Sequence, residues 1–167
     1  KLKGNELKGK NIGIIGFGNV GRRVAEISHA LGMNVLIYSS HFNSIKNEFK
    51  NYKSSDLNTI ISNSDIISFH CKPNKDGSSI LSINELKLMK PSSIVINTAR
   101  GNLIDENDLK QALEEKIIKG AALDVFQDEP VTQHPLLNVK NIVLTPHIAA
   151  STDEAQIIVA EMIANQF

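Results

Sequence analysis

Short runs of apolar residues alternate along the chain with longer stretches in which apolar positions recur every three to four residues. The runs predict strands at 12–16, 34–38, 65–69, 94–97, 120–123 and 142–144. The periodic stretches predict helices at 20–31, 56–62, 83–89, 106–115 and 152–165. The strands are almost continuously apolar, as in Ser93-Ile94-Val95-Ile96-Asn97, which suits parallel strands covered on both faces. Strict alternation of this kind predicts an α/β fold, a doubly wound parallel sheet made of two βαβαβ halves. In a 3-2-1-4-5-6 order of these six strands, the switch point falls between the strands at 12–16 and 94–97. Ligands of such sheets bind beyond the carboxyl ends of the switch-point strands. The polar stretch from Asn43 to Ser55 is expected to be a surface connection carrying one short edge strand.

The first strand ends in Gly16-Phe17-Gly18-Asn19-Val20-Gly21, a G-x-G-x-x-G turn that opens a helix. In this context the turn predicts a seat for a dinucleotide pyrophosphate. Gly16 permits the tight turn, Gly18 lets the backbone approach the phosphates, and Gly21 lets the helix pack close to the strand. Unpaired N–H groups at the helix start then face the anion. Gly32 suits the C-terminal cap of that helix.

Composition narrows the partners. Lysine plus arginine equals aspartate plus glutamate at 18 each, which points to neither a nucleic-acid nor a membrane surface. No apolar run approaches the roughly 20 residues that span a bilayer, and no signal peptide is visible. The single cysteine, Cys71, excludes an intrachain disulfide and fits a reducing, cytoplasmic setting. The 167 residues suit one dinucleotide-binding domain over 1–167. The chain starts at Lys1 without methionine and stops at Phe167 in a helical pattern, which reads as a segment of a longer protein.

Three later strands are followed by unusual polar residues: Asn97-Thr98-Ala99-Arg100-Gly101, Asp124-Val125-Phe126-Gln127-Asp128-Glu129-Pro130, and Thr145-Pro146-His147-Ile148-Ala149-Ala150. An arginine, a carboxylate and a histidine beside a nicotinamide suit hydride transfer to or from a 2-hydroxy acid. The guanidinium fork holds a carboxylate or carbonyl, and the histidine titrates near neutral pH. A neighbouring carboxylate favours the charged imidazole and orients its ring. Taken singly, each residue has a plainer reading. Arg100 reads as a surface or cap residue, Glu129 as a solvated loop acid, His147 as a cap of the last helix, and Asp124 as a turn cap. Their joint placement at strand ends of one sheet argues for the site.

The chain closely resembles the cofactor domain of the D-isomer-specific 2-hydroxyacid dehydrogenases. The matching segments are Glu6-Leu7-Lys8-Gly9-Lys10, G-F-G-N-V-G, N-T-A-R-G-N-L-I-D, A-A-L-D-V-F-x-x-E-P and H-P-L-L…N-I-V-L-T-P-H-I-A-A-S-T. The resemblance implies Arg100, Glu129 and His147 as the catalytic set, with His147 taking the hydroxyl proton and Glu129 holding the histidine. It implies NAD as cofactor, with Asn19 and Val20 at the pyrophosphate. Thr98, Ala99, Arg100 and Asp124 would line the nicotinamide side, and His147, Ala149 and Ala150 would close the pocket. A homodimer and a small 2-hydroxy or 2-oxo acid substrate are implied likewise. The stretch 150–156 looks most like phosphoglycerate dehydrogenases, which would make 3-phosphoglycerate, at the entry to serine synthesis, the substrate. Alternatives are a glyoxylate or hydroxypyruvate reductase, and a non-enzymatic NAD sensor like the C-terminal-binding-protein corepressors. The family's substrate domain comes from chain on both sides of this one, so these residues alone are expected to bind cofactor with little or no turnover.

Two departures stand out. The end of the second strand carries Ser39, Ser40 and His41 where NAD-specific folds place an acid, and the nearest acid along the chain is Glu48. This leaves NADP tolerated beside NAD, with His41 and Lys46 as candidate cations for a 2′-phosphate and no arginine nearby. The family's His-x-Pro after the third strand is His70-Cys71-Lys72-Pro73 here, with the proline one place late. His70 and Cys71 are expected at the cofactor, Cys71 as pocket wall and not as a nucleophile.

Overall fold

The computed structural model describes residues 4–45 and 48–164. Their strands are β1 (Asn11–Ile15), β2 (Asn34–Tyr38), β3 (Lys53–Ser54), β4 (Ile66–Phe69), β5 (Ile94–Asn97), β6 (Gly120–Leu123) and β7 (Ile142–Leu144). The helices are α1 (Asn19–Ala30), α2 (Phe42–Ile45), α3 (Leu57–Asn63), α4 (Ile83–Leu88), α5 (Glu106–Glu114) and α6 (Asp153–Ala164). A short 3-10 turn, Gly101–Leu103, precedes α5. Apart from α2 and the 3-10 turn, which the sequence pattern did not predict, each matches the expected element to within about a residue, and the edge strand expected in 43–55 is β3.

All the strands are parallel, in the order β3-β2-β1-β4-β5-β6-β7. This corrects the six-strand reading in one respect. The 3-2-1-4 pattern holds only when two-residue β3 is counted as the third strand, so the strand at 66–69 pairs with β1 and not with β2. The switch point therefore lies between β1 and β4, which brings His70 to the crevice and moves Arg100 one strand away.

Side chains alternate across the sheet and build two cores. Ile12, Ile14, Val35 and Ile37 pack on one face with Phe17, Ala25 and Phe42. Ile15, Ile67, Phe69 and Val95 pack on the other with Leu86 and Leu109. Each fully buried valine, leucine, isoleucine or phenylalanine among them contributes about 1.5–3 kcal/mol of transfer free energy. Helix starts are capped locally: Asp56 accepts the Thr59 N–H before α3, and Asp105 accepts the Asp108 N–H before α5. The far edge is different. Val143 of β7 and Ile157, Ile158, Val159, Met162 and Ile163 of α6 are more than half exposed.

Candidate functional site

The ladder register decides which residues meet. Ile15 pairs with both Tyr38 and Phe69, Phe69 with Asn97, Asn97 with Leu123, and Leu123 with Leu144. The residues one place beyond, Gly16, Ser39, His70, Thr98, Asp124 and Thr145, therefore stand in one row along the carboxyl edge of the sheet. Backbone hydrogen bonds tie the row together: Gly16 N–H to Tyr38 O, His70 N–H to Ile15 O, Asp124 N–H to Asn97 O and Thr145 N–H to Leu123 O.

At the head of α1 the glycines have distinct jobs. Gly16 has φ +99°, and a Cβ there would lie 2.4 Å from His70 O. A Cβ on Gly21 would lie 2.2 Å from Gly16 O, so the helix could not sit against the turn. Gly18, the N-cap, has open space around it and no side chain capping the helix, and the first turn carries no acid. Unpaired N–H donors, open room and the absence of negative charge fit a pyrophosphate. Asn19 and Val20 are exposed at this mouth.

Next along the row, Val20, His70, Cys71, Lys72 and the segment from Thr98 to Arg100 line a cavity of about 280 Å³. The backbone of 98–100 is shaped from below by Asn97, which is 1% exposed. Its Nδ2 donates to Arg100 O at 2.8 Å and its Oδ1 accepts from the Ala99 N–H at 3.1 Å. The Arg100 guanidinium folds back to donate to Ala99 O at 2.6 Å. A Cβ on Gly101 would fall 1.9 Å from the Phe126 carbonyl carbon, so this turn sits directly on the loop after β6. Burial pushes the Cys71 thiol up to about 11, which leaves it a wall residue. Burial also pushes His70 down to about 4, and its Nε2 lies 2.9 Å from Ser68 Oγ.

Glu129 and His147 form the other half of the site. His147 Nδ1 lies 2.6 Å from Glu129 Oε2, and Glu129 Oε1 accepts from the Phe126 N–H at 2.9 Å. The His147 hydrogen bond first, then the Phe126 N–H, hold the Glu129 carboxyl below its ordinary range, against a smaller opposing effect of burial. The two line a cavity of about 300 Å³ with Pro130, Val131, Pro146 and Phe126. Arg100 opens on the neighbouring cavity, so the structure brings Glu129 and His147 into contact and leaves Arg100 on the same rim, apart from them.

Asp124 is buried beneath this loop. Its Oδ1 accepts from Thr145 Oγ1 at 2.5 Å and from the Ile148 N–H at 2.9 Å, and its Oδ2 from the Ala149 N–H at 2.9 Å. Burial alone would raise its pKa; these three donors, with His147 nearby, outweigh it and hold the carboxyl below the usual range. Asp124 thus anchors the loop that carries His147, Ala149 and Ala150, and His147 itself takes a left-handed φ of 53° there.

Two neighbours of the site escaped the sequence reading. Glu106 Oε2 lies 2.7 Å from His134 Nε2, and Glu106 Oε1 accepts from the Gln127 N–H at 2.8 Å. The His134 Nδ1 accepts from the Leu136 N–H at 3.3 Å, which puts the ring proton on Nε2. The signal was present: His134 opens the H-P-L-L segment, and Glu106 starts α5. Neither residue has a visible purpose until the chain folds.

At the opposite end of the row, Ser39, Ser40, Ser54, Ser55 and Asp56 line a cavity of about 530 Å³ that continues to Gly16, Cys71 and Lys72. His41 is exposed beside it, and Lys46 lies outside the described residues. Among the described residues, no cluster of His, Cys, Asp and Glu is arranged to hold a metal ion, and no helix is long and apolar enough to cross a membrane.

Comparison with known proteins agrees with this fold. Residues 1–149 match the family model described as D-isomer specific 2-hydroxyacid dehydrogenase, NAD binding domain. A glyoxylate reductase of Thermococcus litoralis is 42% identical over 161 residues, covering 96% of this chain and 49% of that protein. A D-3-phosphoglycerate dehydrogenase of Archaeoglobus fulgidus is 41% identical over 165 residues, covering 98% of this chain and 31% of that one. Among solved structures, the D-lactate dehydrogenase of Lactobacillus jensenii with NAD+ superposes with a TM-score of 0.85 at 30% identity, covering 94% of this chain and 51% of the other. The chain thus spans about a third to a half of the length of these relatives.

Proposed function

Because the chain belongs to the D-isomer specific 2-hydroxyacid dehydrogenase family, as its NAD-binding domain, we propose that it carries the cofactor seat and the acid–base pair of an enzyme interconverting a D-2-hydroxy acid and its 2-oxo acid. The observation that carries this reading is the 2.6 Å contact between His147 Nδ1 and Glu129 Oε2. With Nδ1 held by the carboxylate, Nε2 is the nitrogen left to take or return the proton of the substrate hydroxyl; among the described residues it has no hydrogen-bond partner. The pair is half-exposed, so the substrate can reach it. NAD, when bound, supplies the acceptor for the C2 hydride. Its pyrophosphate would rest on the α1 head at Gly18, Asn19 and Val20, and its nicotinamide side on Thr98, Ala99 and Arg100. Arg100 supplies the fixed cation for the substrate's carboxylate or carbonyl once its side chain leaves Ala99 O.

The leading substrate is 3-phosphoglycerate, supported by the 150–156 stretch and by relatives named D-3-phosphoglycerate dehydrogenase. A glyoxylate or hydroxypyruvate reductase is the second reading, favoured by the 42% identity to the T. litoralis protein. The exposed apolar residues of β7 and α6 support burial against further protein, a second copy or a substrate domain. The test is NADH-dependent reduction by the whole protein of 3-phosphohydroxypyruvate, hydroxypyruvate and glyoxylate. Highest kcat/KM on the phosphorylated acid supports serine synthesis, and highest on glyoxylate supports the second reading. Cofactor binding without turnover of any 2-oxo acid would overturn both in favour of a sensing protein.

A further inference from the structure

Resting on the reading that the strand-end row takes a nicotinamide dinucleotide, we propose that Asp56 is the specificity-determining carboxylate, engaging the adenosine ribose 2′-hydroxyl and selecting NAD over NADP. In dinucleotide folds this acid normally ends β2, where it meets the ribose diol. Here β2 runs into Ser39, Ser40 and His41, and that position has no acid.

The register supplies one from the next strand. Ile37 of β2 pairs with Ser54 of β3, and the Ser55 N–H continues the ladder by donating to Ile37 O at 3.0 Å. Carried two places beyond the Ile37–Ser54 pair, the same register would set Asp56 beside Ser39. Adjacent strands are about 4.8 Å apart, so a carboxylate on Asp56 covers the ground a carboxylate on residue 39 would cover. Both residues line the same cavity of about 530 Å³.

The carboxylate is also held in place. Oδ1 accepts from the Thr59 N–H at 2.9 Å and Oδ2 from Thr59 Oγ1 at 2.6 Å. Those bonds keep it ionised below the ordinary carboxylate range. Two carboxylate oxygens offer about four acceptor directions; Thr59 takes two, and the Asp56 and Asn58 backbone N–H groups add smaller contributions, which a ribose hydroxyl would displace. The cavity's cation, Lys72, follows β4, three strand spacings or roughly 14 Å across the sheet from β3. Lys72 also lines the cavity with Val20 and Arg100, which puts it on the pyrophosphate side, so among the described residues lining the cavity of about 530 Å³ Asp56 is the charged group at the ribose end. A 2′-phosphate there would bring roughly 1.5–2 negative charges against the carboxylate.

Fluorescence titration of the chain with NADH and NADPH, for wild type, Asp56→Asn and Asp56→Ser, tests the assignment. Asparagine and serine are both good N-caps, so α3 keeps its start, and circular dichroism checks the fold. Wild type should bind NADH about tenfold or more tighter than NADPH, the size expected for one to two unit charges facing a carboxylate across solvent. Both variants should weaken NADH, strengthen NADPH and bring the two close to parity. Equal wild-type affinities, or variants that keep the wild-type preference, would overturn the role of Asp56. Wild type that binds neither cofactor would instead overturn the dinucleotide reading on which it rests.

Discussion

Glu129 and Glu106 accept hydrogen bonds from successive backbone N–H groups, those of Phe126 and Gln127, and each uses its other oxygen to bind a histidine. The two pairs differ in burial. The side chains of His134 and Glu106 are 7% and 9% exposed, while those of His147 and Glu129 are 50% and 33% exposed. One chemistry thus serves two ends: the buried pair clamps the loop after β6, and the open pair faces solvent, where the proposed function places the substrate.

The open pair should matter for turnover and little for stability. In the whole protein, His147→Asn should lower kcat about 10²–10⁴-fold, the usual range for a lost acid–base group. Its NADH affinity and urea midpoint should change little, since exposed pairs contribute about 0–1 kcal/mol. Because His147 is the first cause of the depressed Glu129 pKa, the variant should also raise the Glu129 titration toward the ordinary value. Carboxyl NMR reads that shift. In wild type the sign is that of a depressed acid: the contribution of Glu129 to stability is present above the ordinary carboxylate pKa and is lost as pH falls through the lower, folded value.

For the buried pair the expectation reverses. His134→Ala leaves one oxygen of the enclosed Glu106 carboxylate without its donor, which should cost about 1–3 kcal/mol or more in urea unfolding. A loss under about 1 kcal/mol would show that the pair is not the clamp the geometry indicates.

Asp124→Asn replaces one acceptor oxygen by an amide that cannot accept, among three donors already aimed at the site. Leaving a buried donor unsatisfied should cost about 1–3 kcal/mol. Hydrogen exchange at the Ile148 and Ala149 amides should speed up first, because they bind different oxygens of Asp124 and one of them loses its acceptor. Unchanged protection there would contradict the anchoring role.

His70 should stay neutral through the physiological range, with an NMR midpoint at about 4 and no transition near 6.5. Burial favours the neutral ring, so the unfolded chain takes up this proton first. Stability from His70 is therefore full above about 6.5 and declines as pH drops toward 4. A His70→Gln variant should flatten that part of the pH–stability curve.

Much of the architecture is local and was legible along the chain. The apolar runs of β1, β4 and β5, the periodic spacing of α1 and α5, and the glycine turn at 16–21 each follow from side-chain burial and backbone sterics within a dozen residues. The strand ends also announced Arg100, Glu129 and His147, because a polar cluster after an apolar run is visible in one dimension. The sheet order was not, since β3 is two residues long and nothing in Lys53–Ser54 marks it as the third strand. Pairing across the sheet then decided what no spacing could. It put His70 at the switch point and turned Asp124 inward as an anchor. It set Asn97 under Arg100, clamped the loop after β6 with Glu106 and His134, and supplied Asp56 to the place where β2 lacks an acid. Periodicity and turn chemistry are properties of neighbours in sequence, so the chain alone determined most of the elements and marked the candidate polar groups at the strand ends. Which groups touch depends on strand register and on burial, and those exist only once distant segments have packed.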